Sequence, residues 1–189
     1  KRSGVGIRSA GEVRVMDVDA NENGGNGIRI WNQSGNDIFI ENTIVTSNTT
    51  NGIGIHSAGF IDLTQITATG NSGNGVALYN QGGTGIDIIT GTFSNNGENG
   101  ILAISDGKIF IDDVEARNNV EAGARLTATL GTKEIWILSI ALTGNGTYGI
   151  HADVGDGTLF YDCGLDLRNN GLGTLVLNWT FDKVVTSTT

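Results

Sequence analysis

Proline is missing from all 189 residues. Its ring removes a backbone N–H, so its absence suits a chain whose N–H groups are nearly all committed to hydrogen-bond ladders. Cysteine is reduced to Cys163. That excludes an intrachain disulfide and any Cys-x-x-Cys metal or redox motif, and a lone thiol in a repeating apolar stretch reads as buried filler. Cations are scarce: 11 Lys and Arg stand against 20 Asp and Glu, a formal net charge of −9. With no basic patch to displace counterions, a nucleic-acid partner is disfavoured, and the charge suits cation binding or solubility. No run nears the ~18–20 apolar residues of a membrane span, so membrane insertion is not expected. The chain opens "KRSGVGIRSAG", without methionine or a signal-like segment, so a signal has been removed or the sequence is a piece of something longer. Helical periodicity is absent as well: no window carries a convincing i, i+3, i+4, i+7 apolar stripe.

What the chain does have is a recurring figure of asparagine and glycine. "NNGENG", residues 95–100, precedes Ile101, and related figures precede Ile28, Ile53 and Val76. Aligned on it, glycines fall at Gly4, Gly27, Gly52, Gly75, Gly100, Gly123, Gly149 and Gly173, at spacings of 23, 25, 23, 25, 23, 26 and 24. Four residues ahead of these glycines stand Asn23, Asn48, Asn71, Asn96, Asn119, Asn145 and Asn169. A sustained period of this length marks a solenoid.

Each period holds three short alternations, and alternation means strands with one buried face. The first follows the glycine (Ile28/Ile30, Ile53/Ile55, Val76/Leu78, Ile101/Ala103). The second is Ile38/Ile40, Ile61/Leu63, Ile86/Ile88, Ile109/Ile111. The third is Met16/Val18/Ala20, Ile44/Thr46, Ile66/Ala68, Phe93, Val114/Ala116. Stacking equivalent segments in parallel, ~4.8 Å apart, turns the apolar positions into continuous columns. The expectation is an all-β solenoid of about seven to eight coils of ~24 residues, three short strands per coil. It covers residues 1–177, and 178–189 form a terminal strand or tail.

Stacking also explains the figure. Asn tolerates bends near αL, and its amide both donates and accepts, so an Asn column can hydrogen-bond along the stack. Gly at the next corner permits positive φ and close packing between coils. Asn23, Asn48, Asn71, Asn96, Asn119 and Asn145, with Gly27, Gly52, Gly75, Gly100, Gly123 and Gly149, are therefore structural corners. They are not a phosphate loop: no helix follows, and no Gly-Lys-Ser/Thr occurs, so no nucleotide cofactor is implied.

"NGIRIWNQSGNDIFIENTIVTSNTTNGIGI", residues 26–55, resembles two successive starts of the repeat of the pectin-lyase-like superfamily. The resemblance covers roughly Gly4 to Leu177 and implies a right-handed parallel β-helix. That superfamily includes polysaccharide lyases, polygalacturonase-like hydrolases, phage tailspikes and non-catalytic adhesive proteins, so it does not choose a function. The hydrolases' Gly-His-Gly and Arg-x-Lys are absent, and Asp112-Asp113 is the one Asp-Asp, read as strand-end charges pointing opposite ways.

Stacking predicts four outward features. Asp62 and Asp87 should sit on adjacent coils, two carboxylates that can ligate Ca²⁺, an ion that takes 6–8 oxygens. Arg125 and His151 should be neighbours, a basic pair with no acidic cluster on the same stretch. Arg8, Trp31, His56 and Tyr79 should occupy matching positions in four consecutive coils, a candidate glycan-binding track, since sugar rings stack on aromatic faces. Phe39, Phe110, Trp136 and Phe160 form a second aromatic patch on the other outer face. No outer face gathers two or more carboxylates with a cation in reach. The reading is a non-catalytic extracellular or cell-surface structural or adhesive module, with a polysaccharide ligand. The alternative is a polysaccharide lyase or glycoside hydrolase acting on an acidic polysaccharide. The first and last coils read as uncapped, so the expected partners are further β-helical domains or copies joined end to end, as a stalk or fibre.

Overall fold

The computed structural model describes residues 2–130, 134–162, 164–179 and 184–187, with strand side chains described to residue 176. Cys163 lies outside the described residues, and the reading of its thiol as buried filler with it. The first strands are β1 (Val5–Arg8), β2 (Val13–Met16), β3 (Ile28–Asn32) and β4 (Ile38–Thr46). Next come β5 (Ile53–Ser57), β6 (Ile61–Thr69), β7 (Val76–Asn80) and β8 (Gly85–Thr92). They are followed by β9 (Ile101–Ser105), β10 (Lys108–Glu115), β11 (Ala124–Ala128) and β12 (Glu134–Ala141). The last are β13 (Tyr148–Gly155), β14 (Thr158–Asp162), β15 (Gly173–Trp179) and β16 (Val184–Ser187). Odd strands form one 8-stranded sheet and even strands another, each stacked in chain order with every pairing parallel. The protein is an all-β parallel solenoid of about 7 turns of ~24 residues, with no helix among the described residues.

The interior is built of registered columns. Ile28, Ile53, Val76, Ile101, Ala124 and Ile150 stack in the odd sheet. Ile38, Ile61, Ile86, Ile109, Ile135 and Leu159 stack in the even one. All are buried. Each such side chain contributes about 1.5–3 kcal/mol when removed from water, so repetition supplies the driving force for coil addition.

The three predicted alternations are present, but the second and third share one bent strand. Within β4, β6, β8, β10 and β12 a single non-glycine residue takes positive φ: Asn42 (47°), Gln65 (57°), Thr90 (56°), Asp113 (54°) and Ser139 (48°). That residue turns the strand and resets which side faces inward. Hence Thr43 and Val45 are buried and Ile44 is 41% exposed, against the predicted Ile44/Thr46 pair; Met16 is exposed too. Register decides it, because Thr43 pairs with Ile66 and Val45 with Ala68, and a one-residue slip would reverse the faces. Asp112 and Asp113 accordingly lie inside β10 at this bend, neither of them buried, rather than opposed at a strand end. In β8, Gly91 takes the column place of Ile66 and Val114, and Phe93 occupies the space: a Cβ on Gly91 would sit 2.8 Å from its ring.

The corner asparagines form a ladder. Asn48, Asn71, Asn96, Asn119 and Asn145 are buried. Each receives, at its side-chain oxygen, the backbone N–H and the amide N–H of the asparagine one coil earlier, at 2.9–3.0 Å from Asn23 and 3.0 Å from Asn48 onto Asn71. Each also donates to a carbonyl, as Asn96 does to Ala68 at 3.0 Å. A second, opposed ladder runs beside it, with Asn74 donating back to Asn51 and Asn99 back to Asn74. Three details differ from expectation. The αL residue is the one before the ladder asparagine, as at Ser47, Asn95 and Asn118. The corner glycines have no positive φ and are required by close approach: a Cβ at Gly75 would lie 2.5 Å from the Gly100 carbonyl. In the last coil Asn170, not Asn169, continues the ladder, and Thr174 takes the corner place expected of Gly173.

Candidate functional site

The odd sheet's outer face carries the predicted ring column. Arg8 pairs in register with Trp31, Trp31 with His56, and His56 with Tyr79. The strand spacing imposes ring stacking: Trp31 and His56 have centroids 4.7 Å apart at 31°, and His56 and Tyr79 4.7 Å apart at 9°. All three rings are half-buried, with one edge toward solvent. Burial and the nearby Arg29 guanidinium hold the His56 imidazole below its ordinary pKa of 6.5. At neutral pH it is therefore an uncharged ring between indole and phenol.

Beside the rings runs the column Arg29, Gly54, Ala77, Leu102, Arg125, His151. Gly54 and Ala77 have almost no side chain, and the resulting depression of about 430 Å³ is lined by Arg29, Asn51, His56 and Tyr79 among others. Its floor is apolar, one wall is aromatic and the other carries the second asparagine ladder, a mixture suited to a polyhydroxylated ring. Further along the same face, Arg125 and His151 are neighbours as expected. The structure adds Tyr148, edge-on to His151 at 5.8 Å, and Glu121, in one hollow of about 220 Å³. A carboxylate therefore does join the basic pair; sequence reading missed it because Glu121 comes from the preceding turn, not from the strand.

The even sheet's outer face bears Arg14, Phe39, Asp62, Asp87, Phe110, Trp136 and Phe160 in one registered column. The aromatic members are engaged locally. Arg14 lies over Phe39 at 4.3 Å, Lys108 over Phe110 at 5.1 Å, and Trp136 stacks on Phe160 at 4.0 Å. Asp62 and Asp87 are stacked as predicted. Burial raises the Asp87 pKa, with Lys108 opposing and Asp62 adding, and its Oδ1 is buried without a hydrogen-bond partner. Among the described residues no group of three or more His, Cys, Asp or Glu is placed to hold a metal, so the pair offers Ca²⁺ only a fraction of the 6–8 oxygens it takes.

A further concavity was not foreseen. Where the even strands bend, a groove of about 850 Å³ runs across successive coils, and the positive-φ residues Asn42, Gln65, Thr90, Asp113 and Ser139 line it. Glu115, Asp162 and Asp166 join Asp113 there, so one outer region does gather several carboxylates, against expectation. Arginines neutralise two of them: Arg117 pairs with Glu115 at 3.0 Å, and Arg168 with Asp166 at 2.8 Å. That pairing holds the half-buried Asp166 carboxyl at about 2. Asp162 accepts the backbone N–H of Ser139 at 2.9 Å and of Gly164 at 3.1 Å. The available signal was the polar residue recurring once per coil after each second alternation.

No family model, curated protein or solved structure matches the chain.

Proposed function

We propose that the chain is a non-catalytic structural and adhesive module of an extracellular or cell-surface protein, binding a glycan along the odd sheet's outer face. The observation that carries this reading is the Trp31–His56–Tyr79 stack beside the Gly54/Ala77 depression. One ring per coil at 4.7 Å matches the rise of an extended saccharide chain to within about an ångström, and amide-lined walls supply donors and acceptors for hydroxyls. The pectin-lyase-like resemblance of the repeat is consistent with this setting, and coils that add by identical interfaces suit a longer solenoid or fibre.

The test is equilibrium binding to a panel of neutral and acidic oligosaccharides. Trp31→Ala and Tyr79→Ala should each weaken binding about tenfold, the scale of one lost ring contact of ~1.4 kcal/mol. Affinity unchanged in both variants would reject the track. A second reading, a polysaccharide lyase or glycoside hydrolase acting on an acidic polysaccharide, is favoured by the hollow that joins Arg125, His151, Tyr148 and Glu121. Release of unsaturated or reducing sugar ends, abolished by His151→Ala or Glu121→Gln, would replace the first reading with this one.

A further inference from the structure

Seven arginines occur in the chain, and the pairing of the six beyond Arg2 divides by face. Arg14, Arg117 and Arg168, all in the even strands or in the turns that follow them, each hold a carboxylate two residues away: Glu12 at 2.6 Å, Glu115 at 3.0 Å and Asp166 at 2.8 Å. Arg8, Arg29 and Arg125 on the odd sheet's outer face are exposed and make no ion pair among the described residues. In a chain of net charge −9, an unpaired cationic column on one face leaves the acidic excess elsewhere. Part of that excess lines the even sheet's bend, at Asp17, Asp113 and Asp162.

The two faces also share a ruler. From Arg29 to Arg125 is four registered steps, through Gly54, Ala77 and Leu102. From Asp17 to Asp113 along the bend is again four steps, through Asn42, Gln65 and Thr90, all of them exposed and of positive φ. Both spans are roughly 19 Å, four times the ~4.8 Å strand spacing. Between the arginines the column presents small or apolar groups, and between the aspartates it presents uncharged polar ones. A partner whose charges repeat at this solenoid's pitch is most simply another copy of the solenoid.

We propose that copies of this chain associate side by side, the arginine column of one lying along the acidic bend of the next. Arg29 meets Asp17 and Arg125 meets Asp113 of the neighbour, with the two solenoids parallel and offset by one coil. The contact joins two different surfaces, so it does not close on itself and continues as a lateral array. It does not depend on end-to-end joining, and it shares the Arg29, Gly54 and Ala77 surface with the glycan reading, so a neighbouring copy and a glycan exclude each other there.

The experiment is sedimentation of the chain from about 10 to 300 μM, at 20 mM and 500 mM NaCl. Association is expected at low salt and should weaken at high salt, where screening shortens to a few ångströms. Arg29→Glu/Arg125→Glu should weaken it at least tenfold, and Asp17→Lys/Asp113→Lys likewise. An equimolar mixture of the two variants should associate again and continue as an alternating array, because the intact faces meet and the reversed Glu and Lys faces are complementary to each other. Lys is sterically admissible at the bend, since Gln65 holds a side chain of similar length at φ 57°. Trp31→Ala should leave association unchanged. A monomer at 300 μM in low salt, association that survives either charge reversal, or a mixture that fails to associate while both variants fold would each overturn the proposal.

Discussion

At the corner, Asn48, Asn71, Asn96, Asn119 and Asn145 hold equivalent places in successive coils, all buried. At the bend, the equivalent places hold Asn42, Gln65, Thr90, Asp113 and Ser139, all exposed. Both columns turn the chain once per coil, yet one keeps a single residue type and the other admits five. The corner asparagine must satisfy neighbours above and below in a dry environment, and few side chains both accept twice and donate twice from one short stem. The bend requires only a left-handed backbone, and water completes whatever the side chain leaves unmade. Burial, not turning, is what fixes identity.

The largest break in this comparison should come from Asn96→Ala. It removes the acceptor for both the Asn71 backbone and amide N–H groups, and the donor to the Ala68 carbonyl, all at 3.0–3.1 Å and all buried. Leaving such groups unpaired costs about 1–3 kcal/mol each, softened by local relaxation, so a loss of about 3 kcal/mol is expected. Urea unfolding followed by circular dichroism measures it; a loss below about 1 kcal/mol would mean the ladder is ornament. At the bend, Thr90→Asn should move stability the other way, by about 0.5–1 kcal/mol. A β-branched residue is strained at φ 56°, and Asn relieves that strain. The replacement amide can also donate to Asp113 of the following coil, in place of the 3.1 Å bond from the Thr90 hydroxyl. A midpoint that falls instead would show that the bend selects its side chains.

The same difference explains what could be read in advance. The corner was legible because burial forces repetition, and repetition at 23–26 residues announces a solenoid. The ring column was legible for the related reason that once the period is known, register follows, and Arg8, Trp31, His56 and Tyr79 fell where counting put them. The bend was not, since its residues share a backbone conformation and no chemistry. Hence simple alternation puts Ile44 in the core, where the structure leaves it 41% exposed, and gives no sign of the groove with its carboxylates. The last corner was misplaced by one residue because Gly173 resembles a corner glycine, while the ladder bond to Asn170 sets the true register. Glu121 was missed because a turn residue reaches over a strand face, a contact that period-two counting along strands does not reveal.

The smallest expected effect lies on the face between these two columns, at His56. Its pKa in the folded chain is lowered, first by burial and then by Arg29, whereas in the unfolded chain it returns to about 6.5. As pH falls below that value the unfolded chain takes up a proton that the folded one resists, so the unfolded state gains and stability decreases. Above about pH 7 both forms are neutral and the contribution is flat. Asp87 has the opposite sign in a lower window: its raised pKa makes the folded chain keep a proton as pH rises past 3.8, so its contribution declines with rising pH there. Unfolding midpoints at pH 5.5, 6.0, 6.5 and 7.0 should therefore climb shallowly, and His56→Gln should flatten the climb while lowering all four midpoints through the lost stacking on Trp31 and Tyr79. Arg29→Gln should reduce the slope without abolishing it, because burial is the larger cause. A slope that persists in His56→Gln would show that the imidazole of the ring column does not set it.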